Sequence, residues 1–251
     1  DRYGAALLKS ANRGALAGAY NRAVCHLRER HVGAIDQIVF LDDDSDPAVL
    51  QAFLADPVTA SRLADASTAA VAPAYRDRAT GMRGKYIELG RFRLSYLSRQ
   101  FTDLRAVAFV INSMSVWRLP ALDRIGAFNE GLAIDHVDTE YCLRARQLGL
   151  LIYVHGGHEF AHAIGERRRF RFLGREMQAG GHGPARRYLI GRNTLWLARD
   201  WLWREPAFAF LCATRLAYEV VGILIAEDRA MAKLAALLRG ACVGLFMPRQ
   251  T

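Results

Sequence analysis

The sequence predicts an α/β layered fold, and three observations lead to this prediction. Short apolar runs that are typical of buried strands occur at 38–41, 71–75, 106–112 and 150–154. Stretches with helical periodicity lie between these runs. Of the 251 residues, 52% are apolar, which is enough for a sizeable core. Strands that alternate with helices indicate an α/β fold, in which ligands collect at the carboxyl ends of the strands.

The elements follow from local signals, taken in order along the chain. Ala and Leu at helical spacing predict a loop and then a helix up to residue 30, and Pro47 is suited to the first turn of a helix over 47–66. The polar segment 76–103 carries three glycines and predicts a long active-site loop. A short helix is expected at 119–125, and an amphipathic helix at 137–148 is followed by Gly149 as a stop signal.

The last part of the chain has a different character, rich in arginine and then apolar. Phe208 to Ala226 forms an apolar window that Arg215 and Glu219 interrupt one helical turn apart. Two charges inside such a window argue against a transmembrane span. An amphipathic helix on a membrane surface or against the core is therefore expected.

Three consecutive carboxylates, Asp42, Asp43 and Asp44, follow the first apolar run. Carboxylates at the end of a strand repel one another unless a cation or hydrogen-bond donors neutralise them. Mg²⁺ or Mn²⁺ prefers oxygen ligands and often shares them with substrate phosphates, so we expect one of these ions here. The alternative is an acidic turn in which Asp44 or Ser45 caps the helix at Pro47.

Charge and cysteine content limit the class of partner. The net charge of +9 comes almost wholly from arginine, which predicts an anionic partner: a phosphate or a membrane surface. Nucleic acid is not expected, because the basic stretches lack regularly spaced aromatic residues. Four scattered cysteines are typical of reduced thiols in the cytoplasm. The start at Asp1-Arg2-Tyr3 shows no secretory signal and predicts a fragment or a processed chain.

Separated motifs occur along the chain in a defined order. They are Asn12-Arg13-Gly14 with Asn21, Leu41-Asp42-Asp43-Asp44-Ser45, Asn112-Ser113-Met114-Ser115, Ile125-Gly126-Ala127-Phe128-Asn129-Glu130, the run from Ile134 to Arg144, His162-Ala163-Ile164-Gly165, and His182-Gly183-Pro184 followed by Arg192-Asn193. This order, from about residue 12 to residue 200, resembles the rhamnosyltransferase branch of the family 2 glycosyltransferases. The aspartate run resembles the D-x-D motif of that family.

The resemblance implies a GT-A fold, which is a Rossmann-like three-layer α/β/α sandwich with a mostly parallel sheet. Residues 1–200 would form the GT-A domain without its first nucleotide-binding unit, and 201–251 a C-terminal amphipathic helical region. It further implies an inverting transfer of a sugar, rhamnose from dTDP-rhamnose, to a glycan or lipid-linked acceptor. The basic C-terminal helices would hold such an enzyme peripherally at the cytoplasmic, inner face of the cell membrane.

The resemblance also implies roles for individual residues. Asp42 and Asp44 would contact the donor and the metal ion, with His162 as a further metal ligand. The carboxylate of Asp138 would be the general base, and its place at a helix N-terminus should keep it ionised. Glu140 or Asp135 is the alternative base, and all three carboxylates could instead cap the helix.

Two groups of residues complete the predicted site. The diphosphate would be clamped by Arg186, Arg187 and Arg192, because guanidinium groups bind phosphates bidentately. Their alternative is contact with anionic lipid or with solvent. The acceptor would be bound by Asn112, Ser113, Trp117 and Asp135, although an aromatic residue in such a run is often part of the core.

Two other functions remain open at this point. His158-Glu159-Phe160-Ala161-His162 matches the H-E-x-x-H pattern of zinc metalloproteases, which requires a helix. A catalytically inactive, truncated homologue could also act only as a membrane-surface or assembly partner. Metal-dependent binding of a nucleotide sugar would separate an enzyme from this last alternative.

Overall fold

The computed structural model describes residues 7–9, 11–31, 33–42, 46–163, 168–172 and 174–249. The helices are α1 Ala15–Arg30, α2 Pro47–Ala55, α3 Pro57–Ala64, α4 Leu119–Ile125, α5 Val137–Gln147, α6 Pro184–Trp201, α7 Pro206–Ala226 and α8 Ala230–Phe246. The strands are β1 Gln37–Val39, β2 Thr68–Asp77, β3 Ile87–Leu89, β4 Leu94–Tyr96, β5 Leu104–Val107, β6 Val116–Arg118, β7 Leu151–His162, β8 Arg168–Phe172 and β9 Arg175–Ala179. The predicted α/β class with C-terminal helices is confirmed.

A five-stranded sheet in the order β1-β6-β2-β7-β5 forms the centre of the fold. Strands β1, β2 and β7 run in one direction, whereas β6 and β5 run in the opposite direction. The longest ladder joins β2 to β7 in parallel. Most strands therefore share one direction in a mixed sheet, and the carboxyl ends of β1 and β7 lie on the same side of it.

Helices cover both faces of the sheet because side chains alternate along each strand. On one face, Tyr153 and Val116 pack with Phe53 of α2 and Leu63 of α3. On the other face, Trp117, Ile152 and Val154 belong to the larger core, to which α1, α4, α5 and α6 contribute. This arrangement is a three-layer α/β/α sandwich.

The region predicted as one helix over 47–66 is two helices that are separated at Asp56. Asp56 has extended backbone angles (φ −70°, ψ 124°), as expected for a residue before proline. Its side chain accepts hydrogen bonds from the backbone N–H groups of Val58 and Thr59, so it caps α3. The segment predicted as a loop over 76–103 also contains a small hairpin of β3 and β4.

The C-terminal helices pack closely on α6. A Cβ atom added to Gly191 of α6 would overlap the Leu237 carbonyl, and one added to Gly240 or Gly244 of α8 would overlap carbonyls of α6. Glycine at these positions therefore lets the two backbones come into contact. The predicted boundary between a domain at 1–200 and a helical region at 201–251 remains a prediction.

Within the described part of the chain, α7 has the length and apolar composition that would allow a helix to cross a membrane, with 28% of its most apolar window buried. The two charges that interrupt this helix face the protein. Glu219 forms an ion pair with Arg187 of α6, and Arg215 hydrogen-bonds to His136. The other side of α7 exposes apolar residues such as Phe210, which is 65% exposed.

Candidate active site

Strand β1 delivers Asp42 to the carboxyl end of the sheet. Beyond β1, the Phe40 N–H donates to the Ser115 carbonyl at 3.1 Å and the Phe40 carbonyl accepts from Met114 at 2.7 Å, which keeps this segment on the sheet. An Asp42 carboxylate oxygen lies 3.7 Å from Nδ1 of His162, at the end of β7. The predicted ligand Asp44 lies outside the described residues. The structure thus brings together two of the three predicted metal ligands.

Asp138 lies at the start of α5, next to Asn112 at the end of the apolar run 106–112 that follows on from β5. The Asn112 backbone N–H donates to a carboxylate oxygen of Asp138 at 3.2 Å. Part of Asp138 remains accessible to solvent, but burial of its carboxylate raises its pKa to about 6, and the charges of Asp42 and Asp135 add to this rise. We expected the helix N-terminus to favour the anion; burial outweighs that effect. The group still carries a negative charge at neutral pH and can accept a proton.

Tyr20 of α1 completes this carboxylate cluster and was not found from the sequence. Burial raises the pKa of its hydroxyl group, with further contributions from Asp138 and Asp42, so the phenol stays protonated. Its neighbour Asn21 belongs to the first motif, with Asn12-Arg13-Gly14, and exchanges two hydrogen bonds with the Phe128 backbone, at 3.0 and 2.7 Å. The motif therefore anchors α1, and this anchoring positions Tyr20 beside the two aspartates.

The segment before α5 is held in a strained conformation. Asp135 and His136 both have left-handed backbone angles (φ 58° and 63°), which cost about 1–3 kcal/mol each and are frequent at functional sites. Asn193 of α6 fixes this segment by donating to the Leu132 and Ile134 carbonyls, both at 2.7 Å. The His136 ring also bonds to the Thr194 hydroxyl at 2.8 Å. The Arg192-Asn193 motif therefore helps to hold the segment before α5 in its conformation.

Asp135 and Arg186 form an ion pair at 3.2 Å, and both border a cavity of about 540 Å³ between the 82–109 region, β9 and α7. Aromatic and cationic side chains dominate its lining, including Tyr75, Tyr96, Tyr218, Phe109, Phe208, Arg83, Lys85, Arg99 and Arg215. Such a surface suits sugars and anionic groups. The segment 76–103, which the sequence predicts as an active-site loop, supplies part of the lining of this cavity.

Asn112 and Ser113 carry polar atoms that need partners. Both side chains are buried, and the Ser113 hydroxyl has no hydrogen-bond partner among the described residues. Unsatisfied buried polar groups are costly, and in native proteins they are often found where a ligand binds. The Asn112 side chain lies beside the hydroxyl of Tyr20, within the same cluster.

Four residues that were predicted for the site have other roles in the structure: Trp117, Glu140, Arg187 and Arg192. Trp117 is fully buried in the core, where its indole N–H donates to Ser115, so it does not line the cavity. Glu140 accepts from Arg144 at 2.7 Å, and the same guanidinium group donates to the Ile125 carbonyl. This ion pair argues against Glu140 as the base.

Two of the predicted phosphate-binding arginines have structural partners instead. Arg187 is fully buried and pairs with Glu219 and Glu227, so its charge is already neutralised. Arg192 donates to the Asn193 side chain and the Gly131 carbonyl. Among the three predicted arginines, Arg186 is therefore the one that reaches the cavity.

The H-E-x-x-H pattern lies on strand β7 rather than on a helix. Positions four residues apart on a strand are about 13 Å apart, so His158 and His162 cannot share one ion. Glu159, the expected base, is bound by Arg76 at 2.6 Å and Arg83 at 2.9 Å. The metalloprotease alternative is wrong for this physical reason.

The structure thus combines an α/β sandwich with an acidic cluster at the strand ends and a cavity of about 540 Å³ beside it. No family model matches the chain. Part of it is similar to the dTDP-rhamnosyl transferase RfbF of Shigella flexneri, with 37% identity over 75 residues. This match covers 30% of the chain and 24% of the length of that relative. The similarity supports a glycosyltransferase-like class.

Proposed function

We propose that this chain carries the catalytic centre of an inverting glycosyltransferase, which moves rhamnose from a dTDP-linked donor to a hydroxyl of a glycan acceptor. One observation carries this proposal: Asp138, whose pKa is raised to about 6, lies beside Asp42 and Tyr20 at the strand ends. A base whose pKa is near neutral is well matched to the deprotonation of a hydroxyl group. The partial similarity to a dTDP-rhamnosyl transferase supports the choice of donor.

The chemistry is a single displacement. Asp138 accepts the proton of the acceptor hydroxyl as its oxygen forms a bond to the anomeric carbon. The bond from that carbon to the diphosphate oxygen breaks, and the diphosphate leaves on the opposite face of the sugar. This opposite-face attack inverts the anomeric configuration.

Asp42 and His162 fit a divalent cation. A carboxylate oxygen and an imidazole nitrogen 3.7 Å apart form a donor pair suited to Mn²⁺, and also to Mg²⁺ if Asp44 supplies a further oxygen. Such an ion, when bound, would neutralise charge on the departing diphosphate. Arg186, on the edge of the cavity, would add a guanidinium contact to the same anion or to a phosphate of a lipid-linked acceptor.

The exposed side of the C-terminal helices fits the surface of a membrane. Phe210, Met231 and Phe246 are 65%, 74% and 85% exposed, and Arg229 and Arg239 on the same C-terminal segment are exposed as well. Apolar side chains together with arginines are typical of helices that lie in the headgroup region of anionic bilayers. We therefore place the enzyme peripherally at the inner face of the cell membrane, where it would meet a lipid-linked acceptor.

Calorimetry with dTDP-rhamnose and Mn²⁺ tests the donor and the metal. We expect heat of binding that a chelator abolishes and that Asp42→Asn removes. The matched control Asp36→Asn changes an exposed aspartate before β1 and should bind normally. Metal-independent binding would contradict the metal proposal. If the wild-type chain gives no heat at all, the inactive-homologue alternative is favoured.

Vesicle sedimentation tests the membrane proposal. Vesicles with anionic lipid should sediment the wild-type chain, whereas Phe246→Ser together with Met231→Ser should reduce the bound fraction. Equal recovery of both proteins in the supernatant would contradict a membrane-bound state.

A further inference from the structure

A second group of metal-binding side chains lies outside the acidic cluster. One nitrogen from each of His155 and His158 and one carboxylate oxygen of Asp56 lie within 4.8 Å of one another. His158 Nε2 is 3.0 Å from Asp56 Oδ2, and the two imidazole rings are 4.8 Å apart between centroids. We propose that these three residues bind a zinc ion, which would join α3 to β7.

An irregularity in β7 places the two imidazoles on the same side. Pro73 of β2 pairs with His155, but its neighbour Ala74 pairs with Glu159, so three residues of β7 form a bulge. In a regular strand, residues three positions apart would face opposite sides of the sheet. A Cβ atom at Gly156 would overlap the carbonyl of Phe101, so this bulge requires glycine there. Bulges commonly redirect side chains next to functional sites.

The third ligand is held in place before any ion arrives. One oxygen of Asp56 accepts from the backbone N–H groups of Val58 and Thr59, at 2.8 and 3.2 Å. The other oxygen faces His158. Nδ1 of His155 is 3.9 Å from Oδ1 of Asp56 and 3.1 Å from the Thr59 hydroxyl, so this ring already faces the carboxylate. Hydrogen bonds of this kind from surrounding residues set the orientation of metal ligands in proteins.

The chemical types of the three ligands determine which metal ion this site favours. Two imidazoles and one carboxylate suit zinc and the neighbouring transition metals, whereas Mg²⁺ prefers oxygen ligands alone. Neighbouring ligand atoms on a tetrahedral zinc ion are about 3.3 Å apart, which follows from bond lengths of about 2.0–2.1 Å. The 3.0 Å between His158 and Asp56 is already close to this spacing. His155 would have to move inward, and a water molecule would complete the shell.

This site differs from the H-E-x-x-H motif and from the acidic cluster. It uses His158 of the motif but not His162, whose neighbour is Asp42. Asp56 and His158 are partly exposed, so an ion can enter from solvent. A bound zinc ion would fix the bulge four residues before His162 and so stabilise the half of β7 that ends at the active site.

Zinc titration of the chelator-treated, full chain by calorimetry is the test, with Co²⁺ absorption as a second measurement. We expect one ion per chain at this site and the visible spectrum of tetrahedral cobalt. Asp56→Asn is the decisive variant, because asparagine still caps a helix but loses the carboxylate ligand. This variant and His158→Ala should each raise the dissociation constant at least about tenfold.

Two control variants retain all three ligands. His26→Ala removes a partly exposed histidine within α1, and His31→Ala removes an exposed histidine at the end of α1. Both should bind zinc as tightly as the wild type. The proposal is overturned if Asp56→Asn, folded by circular dichroism, keeps the cobalt spectrum and the wild-type affinity, or if His31→Ala loses them. Because no sugar nucleotide enters this assay, its result is independent of the glycosyltransferase proposal.

Discussion

Replacing Asp138 by asparagine should remove turnover and at the same time stabilise the fold. The substitution keeps the shape of the side chain and an oxygen that can accept from the Asn112 N–H, now 3.2 Å away. It removes the base, for which a loss of about 10²–10⁴ in kcat is typical, equivalent to about 3–5 kcal/mol. Donor binding should be unchanged, because the proton transfer occurs only in the reaction step.

The stabilisation follows from the cost of burying this carboxylate. Moving its pKa from 3.8 to about 6 corresponds to about 3 kcal/mol at neutral pH. Between about pH 4 and pH 6 the folded protein retains a proton that the unfolded chain has released. The free energy of unfolding therefore falls as the pH rises through this window and stays low above it. The neutral amide in Asp138→Asn avoids this cost.

Urea denaturation in the presence of a chelator measures the gain in stability, and product formation from the donor measures the loss of turnover. The wild-type chain should lose stability between pH 4 and pH 6, whereas the variant should lose less and should be more stable at pH 7 by up to about 3 kcal/mol. Asp123→Asn, an exposed residue in a surface ion pair, is the matched control. Normal turnover in Asp138→Asn would refute the base assignment, and an unchanged pH dependence of stability would refute the burial argument.

Three further predictions concern the support of the site. Asn193→Ala removes hydrogen bonds to the carbonyls of 132–135 and should cost about 1–3 kcal/mol, with faster amide hydrogen exchange in that segment. Arg187→Met leaves Glu227 buried without this partner and should cost about 3–5 kcal/mol in urea denaturation, whereas a loss below about 1 kcal/mol would contradict the structural role. Gly240→Ala should lower the melting temperature by pushing α8 away from the Tyr188 carbonyl; an unchanged value would show that the contact is loose.

The sequence predicted those elements whose signals are local. Helix α4 occupies the expected residues 119–125, and α5 ends one residue before the expected end. Strand β7 was expected to end at Val154, but the strand continues to His162 through a bulge at residues 156–158. That continuation depends on hydrogen bonding to β2, and the sequence of β7 itself carries no signal for this pairing. The break at Asp56 does have a local signal, which is the proline that follows it.

The sequence predicted those candidate site residues that belong to a motif with a single expected role. Asp42, Asp138 and His162 come from three separate motifs, and the structure places them around the same strand ends. Tyr20 escaped detection because its role depends on Asn21 binding a backbone segment 107 residues away. Arg187 could not be assigned from the sequence, since a buried ion pair and a phosphate clamp use the same residue type.

The glycine contact between α6 and α8 links the end of the described chain to the proposed active site. Helix α8 rests on the backbone of α6, and α6 carries Asn193, which holds the strained turn in front of Asp138. Substitutions in α8 should therefore alter the rate of the proposed reaction without touching a substrate. A screen for mutations that impair sugar transfer should find some on this helix, far from the carboxylates, and they would act by loosening the frame that keeps the proton acceptor in place.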